Sequence, residues 1–200
     1  MTLFGSPRVS YVGYPLKRLV DVVGAGTALV ILVPIFLPIS IAIKLGSKGP
    51  ILFRQERLGL KEAPFEILKF RSMRVDAVST GPAYTVPGDP RVTGIGRILR
   101  KTSLDELPQL INVLRGEMSL FGPRPYVGFE LENWTAEERR LRVSVRPGLS
   151  GLAQTSGRSD LLGRSRIECD LRYVQECSFR LDCVLAFRTL LAVLTTRGTN

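Results

Sequence analysis

The chain has no histidine anywhere in its 200 residues. Any acid, base or nucleophile must therefore come from Asp, Glu, Ser, Thr, Lys, Tyr or Cys. Cysteine is scarce as well. Cys169, Cys177 and Cys183 form an odd set without metal-like spacing, all within one stretch of helical pattern, and read as reduced core or interface residues. Nothing in them implies an oxidising compartment. Acidic residues are in deficit, 18 against 28 basic ones, for a net charge of +10. Arg far outnumbers Lys, which favours planar, bidentate contact with phosphate or carboxylate. The expected partners are anionic: a nucleotide, anionic lipid headgroups or nucleic acid. There is no internal repeat and no low-complexity tract. The length suits one domain with a core, or a small domain plus a membrane element.

Charge is missing altogether from the 22 residues between Asp21 and Lys44. As a straight helix such a run measures about 33 Å, enough for a bilayer core of roughly 30 Å. Three features argue against a simple span. Pro34 lies near the middle and Pro38 one turn later; each removes a backbone donor and crowds the carbonyl four residues back, so a bend is expected. Basic residues also flank both ends, Lys17 and Arg18 before, Lys44 and Lys48 after. Positive flanks stay cytoplasmic, so such a segment enters and returns on one side. The favoured reading is a helix–break–helix hairpin dipping into one leaflet, over about residues 19–44. A kinked but complete span is its main competitor. The run is too long, too broken by proline and too poor in cleavage signals for a signal peptide. It is also longer than the uncharged core helices of small soluble domains. Carbonyls freed at the bend need donors, and Ser40 is the nearby hydroxyl.

From Gly49 the composition turns soluble. Residues 51–57 and 65–71 are apolar and aromatic, with a break at 59–64, which predicts an antiparallel hairpin. Val75 to Arg91 reads as a mobile loop near or over a site. Leu104, Leu107, Leu110, Ile111 and Leu114 share one helical face. Thr135 to Arg142 predicts a short charged helix, and 160–176 and 179–195 two amphipathic ones with Arg on their polar sides. Those two could cover the core or lie at a membrane interface.

The densest chemistry lies in residues 97–125. Asp105 and Glu106 are adjacent carboxylates, preceded by Arg97, Arg100 and Lys101 and followed by Pro123-Arg124-Pro125. Ser103 to Glu106 matches a capping box, which would give Glu106 a purely local role and leaves Asp105 unexplained. Pro108 either distorts that helix or restarts it. An exposed Asp ionises near pH 3.9, so at neutral pH it is an anionic nucleophile needing no base. Its attack on a phosphate brings two anions together, which cationic side chains and a divalent metal offset. Mg²⁺ is the expected ion, since it takes one or two carboxylates plus phosphate oxygens and water. Adjacent carboxylates suit this better than glycoside hydrolysis, whose two carboxylates flank a scissile bond several Å apart.

These stretches together resemble the bacterial sugar transferase family, the monotopic phosphoglycosyl transferases, from about Tyr14 to Asn200. The motifs that carry the resemblance are F-R-Q-E-R at 53–57, K-F-R-S-M at 69–73, D-P-R-V-T at 89–93, L-R-K-T-S-L-D-E-L-P-Q-L at 99–110, G-P-R-P at 122–125 and R-P-G-L-S-G at 146–151. The family's fold would be α+β and mostly helical: a re-entrant membrane helix-hairpin within residues 1–48, and a catalytic domain over 49–200 with a small β-hairpin and amphipathic interfacial helices. The chain resembles the minimal catalytic unit of the family, without the extra spanning helices of some relatives. Two departures stand out. Val33 precedes Pro34 where the family usually has Ser, which bears on the angle of the break, and Ala153 replaces a common aromatic residue.

The resemblance implies a reaction. A phosphosugar passes from a nucleoside diphosphate sugar, by family expectation UDP-linked, to polyprenol (undecaprenyl) phosphate, starting glycoconjugate or exopolysaccharide synthesis. Asp105 would form a covalent phosphosugar–aspartyl intermediate. Glu106 would deprotonate or orient the acceptor phosphate and join Asp105 in holding Mg²⁺. Lys69, Arg71, Arg100, Arg124 and Arg146 match basic motif positions that hold phosphates, and Asp170 a late acidic position. The setting would be the cytoplasmic face of the bacterial inner membrane, in contact with its lipids, with a homo-oligomer left open. Two other classes compete. A basic nucleic-acid-binding protein leaves the uncharged segment and the carboxylate pair unexplained, and a non-catalytic scaffold leaves the intact motifs unexplained. An aspartyl phosphatase of the haloacid type is disfavoured by the absence of D-x-D.

Overall fold

A computed structural model describes residues 15–80, 85–86, 88–127, 134–156 and 163–195. Its dominant element is helix α1, Pro15–Gly46, of 32 residues. The helix opens on Pro15, whose missing N–H is an orphan there anyway. It is long and apolar enough to cross a membrane, with a mean hydropathy of 2.5 in its most apolar window. The expected break is absent as an interruption, because one helix continues through both Pro34 and Pro38. A proline removes a single hydrogen bond, and a local bend can relieve the crowding without ending the helix. The Ser40 hydroxyl donates to the Phe36 carbonyl at 2.7 Å, a back-bond of the kind that favours bending.

The face that α1 buries explains why it belongs to the domain. Lys17, Asp21 and Ala25 recur every fourth residue and are buried, as are Ile39 and Ile43. Around Ala25, the residues Phe65, Ile67, Leu110, Val113 and Met118 close one core. Around Ile39 and Ile43, Phe70 and Leu99 close a second, joined by Phe36, Leu104 and Leu107. The opposite face is apolar and open, with Val30 at 78% and Ile31 at 66% exposure. Apolar surface of this extent marks contact with a membrane or with another protein.

Strands β1, Leu52–Leu58, and β2, Pro64–Phe70, pair antiparallel from Leu52↔Phe70 to Leu58↔Pro64. The expected hairpin is thus present, within a residue or two of its predicted bounds. Helix α2, Gly94–Lys101, is capped by Thr93, whose hydroxyl accepts from the Gly96 N–H at 3.0 Å. A 3-10 turn over Leu104–Glu106 precedes helix α3, Gln109–Arg115. The leucine series is therefore not one helical face. Pro108 divides it, so Leu104 and Leu107 pack beside the C-terminal half of α1 and Leu110 beside its N-terminal half, while Leu114 is exposed.

Strand β3, Ser119–Phe121, runs parallel to β4, Gly148–Ser150, a pair too short to read from sequence. Helix α4, Ala136–Arg142, opens on a true capping box between Thr135 and Glu138, as the charged segment predicted. Helices α5, Leu152–Ser156, α6, Arg164–Glu176, and α7, Phe179–Thr195, follow among the described residues. The expected start of α6 near Asp160 lies outside the described residues. The described parts of 75–91 are pinned rather than loose: a 3-10 turn spans Val75–Val78, and Arg91 binds the Asp89 carboxylate and the Ala77 carbonyl.

Two motif glycines are required where the β3 and β4 segments meet. A Cβ on Gly148 would lie 2.1 Å from the Gly122 backbone nitrogen, and one on Gly122 would lie 2.6 Å from the Arg146 carbonyl. Backbone cannot yield as a flexible side chain can. Gly148→Ala should therefore cost on the order of 3 kcal/mol, whereas Gly94→Ala, with nothing within 4 Å of the new Cβ, should be neutral or slightly stabilising. Melting temperatures of the two variants in the same detergent check this.

Candidate active site

The site begins with a lone polar residue inside an apolar run. Asn112, between Ile111 and Val113, is fully buried on α3. Its Oδ1 accepts from the Leu68 N–H at 3.0 Å, and its Nδ2 donates to the Glu66 carbonyl at 2.7 Å. A two-stranded sheet leaves the outer edge of β2 unpaired, and this carboxamide occupies it as a third strand would. The clamp fixes β2 against α3 and the turn before it. Lys69, next along β2, consequently meets Glu106, with Nζ 2.7 Å from Oε1.

The capping box does not form, and Glu106 pairs with Lys69 instead. Ser103 adopts a left-handed backbone, φ 57°, and makes no side-chain cap bond. The helix restarts after Pro108 instead. Arg124, in the Pro-Arg-Pro loop, brings Nη1 to 3.9 Å from the same Glu106 oxygen. Lys69, Glu106, Gln109 and Arg124 line one narrow cleft, completed by Arg57, Leu149 and Gln154.

Asp105 is 8% exposed on the same 3-10 turn. Burial, and then the neighbouring Glu106 charge, push its carboxyl up to about 6, against the pull of Lys69 and Arg100. Arg100 also donates to the Thr85 hydroxyl at 2.8 Å, tying the 75–91 segment to the site. Among the described residues, no cluster of three or more acidic or sulfur ligands offers a closed metal cage. Two adjacent hard carboxylates, whose mutual repulsion a divalent cation relieves, do fit Mg²⁺, which completes its shell with phosphate oxygens and water.

Two of the expected phosphate binders, Arg71 and Arg146, and the acidic Asp170 lie outside the cleft lining. Arg71 is buried and donates to the carbonyls of Ser47, at 2.8 Å, and Lys48, stapling the chain after α1 to β2. Arg146 donates to the Gly116 carbonyl at 2.8 Å, where α3 ends. Asp170 is 1% exposed, accepts from the Tyr126 hydroxyl at 2.8 Å and pairs with Arg142 at 3.6 Å. Burial raises its pKa above the ordinary carboxylate value. Arg142 in turn stacks on the Tyr126 ring, 3.8 Å from its centroid, and donates to the Arg124 carbonyl. Arg57 holds the next carbonyl, Pro125, at 3.2 Å. Asp170 therefore acts on the cleft through the backbone of the Pro-Arg-Pro loop. Sequence reasoning missed Arg57, Gln109, Asn112 and Gln154. The signals were there: Arg57 and Gln109 lie within the quoted motifs, and Asn112 interrupts a hydrophobic stretch.

The sequence profile described as bacterial sugar transferase matches residues 12–196. The UDP-glucose:undecaprenyl-phosphate glucose-1-phosphate transferase of Caulobacter vibrioides is 46% identical over 187 residues, covering 90% of this chain and 70% of that protein. The exopolysaccharide production protein PSS of Rhizobium leguminosarum bv. phaseoli is 42% identical over 191 residues, covering 90% and 96% respectively. Against the Escherichia coli UDP-glucose:undecaprenyl-phosphate glucose-1-phosphate transferase, 42% identical, the chain spans only 42% of a longer protein. A profile match over nearly the whole length, together with relatives more than 40% identical over at least 90% of the chain, means that this chain belongs to the bacterial sugar transferase family.

Proposed function

We propose that the protein transfers a phosphosugar from a UDP-sugar to undecaprenyl phosphate through a covalent intermediate on Asp105. The relatives' names supply the substrates. The observation that carries the mechanism is the buried Asp105 carboxylate, set beside Glu106 and under the pull of Lys69 and Arg100, with Arg124 reaching Glu106. An Asp105 oxygen attacks the sugar-bearing phosphorus. The bond from that phosphorus to the bridging oxygen breaks, and UMP leaves. An oxygen of undecaprenyl phosphate then attacks the same phosphorus, the aspartyl–phosphate bond breaks, and Asp105 returns as a carboxylate. Lys69 and Arg124 oppose the charge of the diphosphate, and Glu106 orients the acceptor. A Mg²⁺ ion held by Asp105 and Glu106 would neutralise phosphate charge in the cleft.

Enzyme and UDP-sugar alone should then release up to one equivalent of UMP and gain a phosphosugar detectable by intact mass. Asp105→Asn should abolish both, lowering turnover by at least about 10⁴-fold, whereas Glu106→Gln should slow turnover and still allow some adduct. Wild-type protein that turns over without any adduct would leave Asp105 a mere ligand.

The elevated Asp105 pKa gives a second test. In the metal-free protein the carboxyl is pushed up to about 6, well above the ordinary aspartate value of 3.8. Because the folded pKa exceeds the unfolded one, the folded state binds this proton more tightly and loses stability as pH rises from 4 to 6. The cost above that window is up to about 3 kcal/mol. Asp105→Asn should accordingly melt higher than wild type at pH 7.5 and no higher at pH 4.

The same reading places the domain on the cytoplasmic face of the inner membrane, where nucleotide sugars are made. Both ends of α1 dock on one domain, through Lys17 and Asp21 at one end and Ile43 at the other, which supports entry and return on a single side. Exposed Phe179, Phe187 and Leu190 on α7 suit a helix resting at the interface. Cysteines introduced near residues 1 and 47 should both react only from the cytoplasmic side. Periplasmic labelling of the amino terminus would establish a span instead.

A further inference from the structure

Gln154 is the loose end of the cleft. It lies on α5, directly after β4, and lines the cleft with Lys69, Glu106 and Arg124. Its Oε1 is shielded from solvent and has no hydrogen-bond partner among the described residues. Among the described residues, no other buried side-chain acceptor is in that state. The oxygen sits over Gly151, where a Cβ would come within 2.9 Å of it. The glycine therefore keeps the space that the carboxamide uses. A buried acceptor without a donor is unfavourable, and an apolar side chain of similar size would avoid that cost.

The chemistry of the missing partner is constrained. It must donate an N–H or O–H, which an ionised phosphate cannot do. Phosphates belong with Lys69 and Arg124. The wall formed by Gly148, Leu149 and Gln154 carries no charge, and the portions of a nucleotide sugar that donate are the sugar hydroxyls and the nucleobase N–H. We propose that Gln154 recognises this uncharged portion of the nucleoside diphosphate sugar, with Oε1 accepting its hydrogen bond. The assignment rests on the transferase reading above and adds a specificity-determining residue to it.

Gln154→Met and Gln154→Ser, in the full chain with UDP-glucose and undecaprenyl phosphate, test it. Wild-type UMP release tests the transferase reading separately; the variant-to-wild-type ratio tests Gln154. Both variants should lose about 10- to 100-fold in kcat/KM for UDP-glucose, while Gln154→Met melts at or above the wild-type temperature. Weaker inhibition by UMP would assign the bond to the nucleoside, and unchanged UMP inhibition would assign it to the sugar. An unchanged kcat/KM for UDP-glucose in the Met variant would overturn the proposal. So would a loss in both variants no larger than the fall in their folded fraction.

Discussion

Much of this structure depends on the Asn112 carboxamide bonding the free edge of β2. A two-stranded hairpin is marginal by itself, and its outer edge would need water or another strand. Asn112 answers one N–H and one carbonyl of that edge, at Leu68 and Glu66, from within the core. The hairpin is thereby registered against α3 rather than merely packed upon it. Since Lys69 follows Leu68 and Glu106 precedes α3, the clamp sets the distance between the site's cation and its anion. Sliding β2 by one residue would turn Lys69 to the opposite face.

The carboxylate pair shows how the site trades stability for chemistry. Asp105 is held where burial and the Glu106 charge both oppose its ionisation. Lys69 and Arg100 only partly offset this, while Lys69 and Arg124 lean toward Glu106. Such a carboxylate is destabilised in its charged form in the free protein. The Pro-Arg-Pro loop that carries Arg124 is secured from behind by Arg142 and Arg57 through backbone carbonyls. Asp170 and Tyr126 hold Arg142 in turn. The cation is thus aimed from behind by Arg142, Asp170 and Tyr126, which do not line the cleft, and from within it by Arg57.

The apolar helix is equally a part of this construction. Arg18 donates to the Val113 and Leu114 carbonyls at the end of α3, and Asp21 accepts from Ser119 and Leu120 in β3. Lys17 bridges Asp21 to Asp182 on α7. A charged cluster so deeply buried is tolerable because each carboxylate has a partner. The helix whose open face is apolar therefore completes the core of the domain with its other face.

The amino-acid sequence by itself determined the chemical repertoire and the elements with strong local signals. The absence of histidine, the adjacent carboxylates, the β-hairpin, the charged helix after Thr135 and the long uncharged run all follow from residue type and spacing. Tertiary structure decided what spacing cannot express. Ser103 to Glu106 carries a capping signal, yet Ser103 is left-handed and Glu106 turns to Lys69, 37 residues away, because a salt bridge and a packed turn outweigh a local cap. Pro34 and Pro38 signal a break, yet α1 continues, because cores along its length hold both halves. Arg71, Arg124 and Arg146 look alike in sequence. Only the fold assigns two of them to backbone carbonyls and leaves the third at the cleft, since a guanidinium bonds whichever acceptor the packing brings within reach.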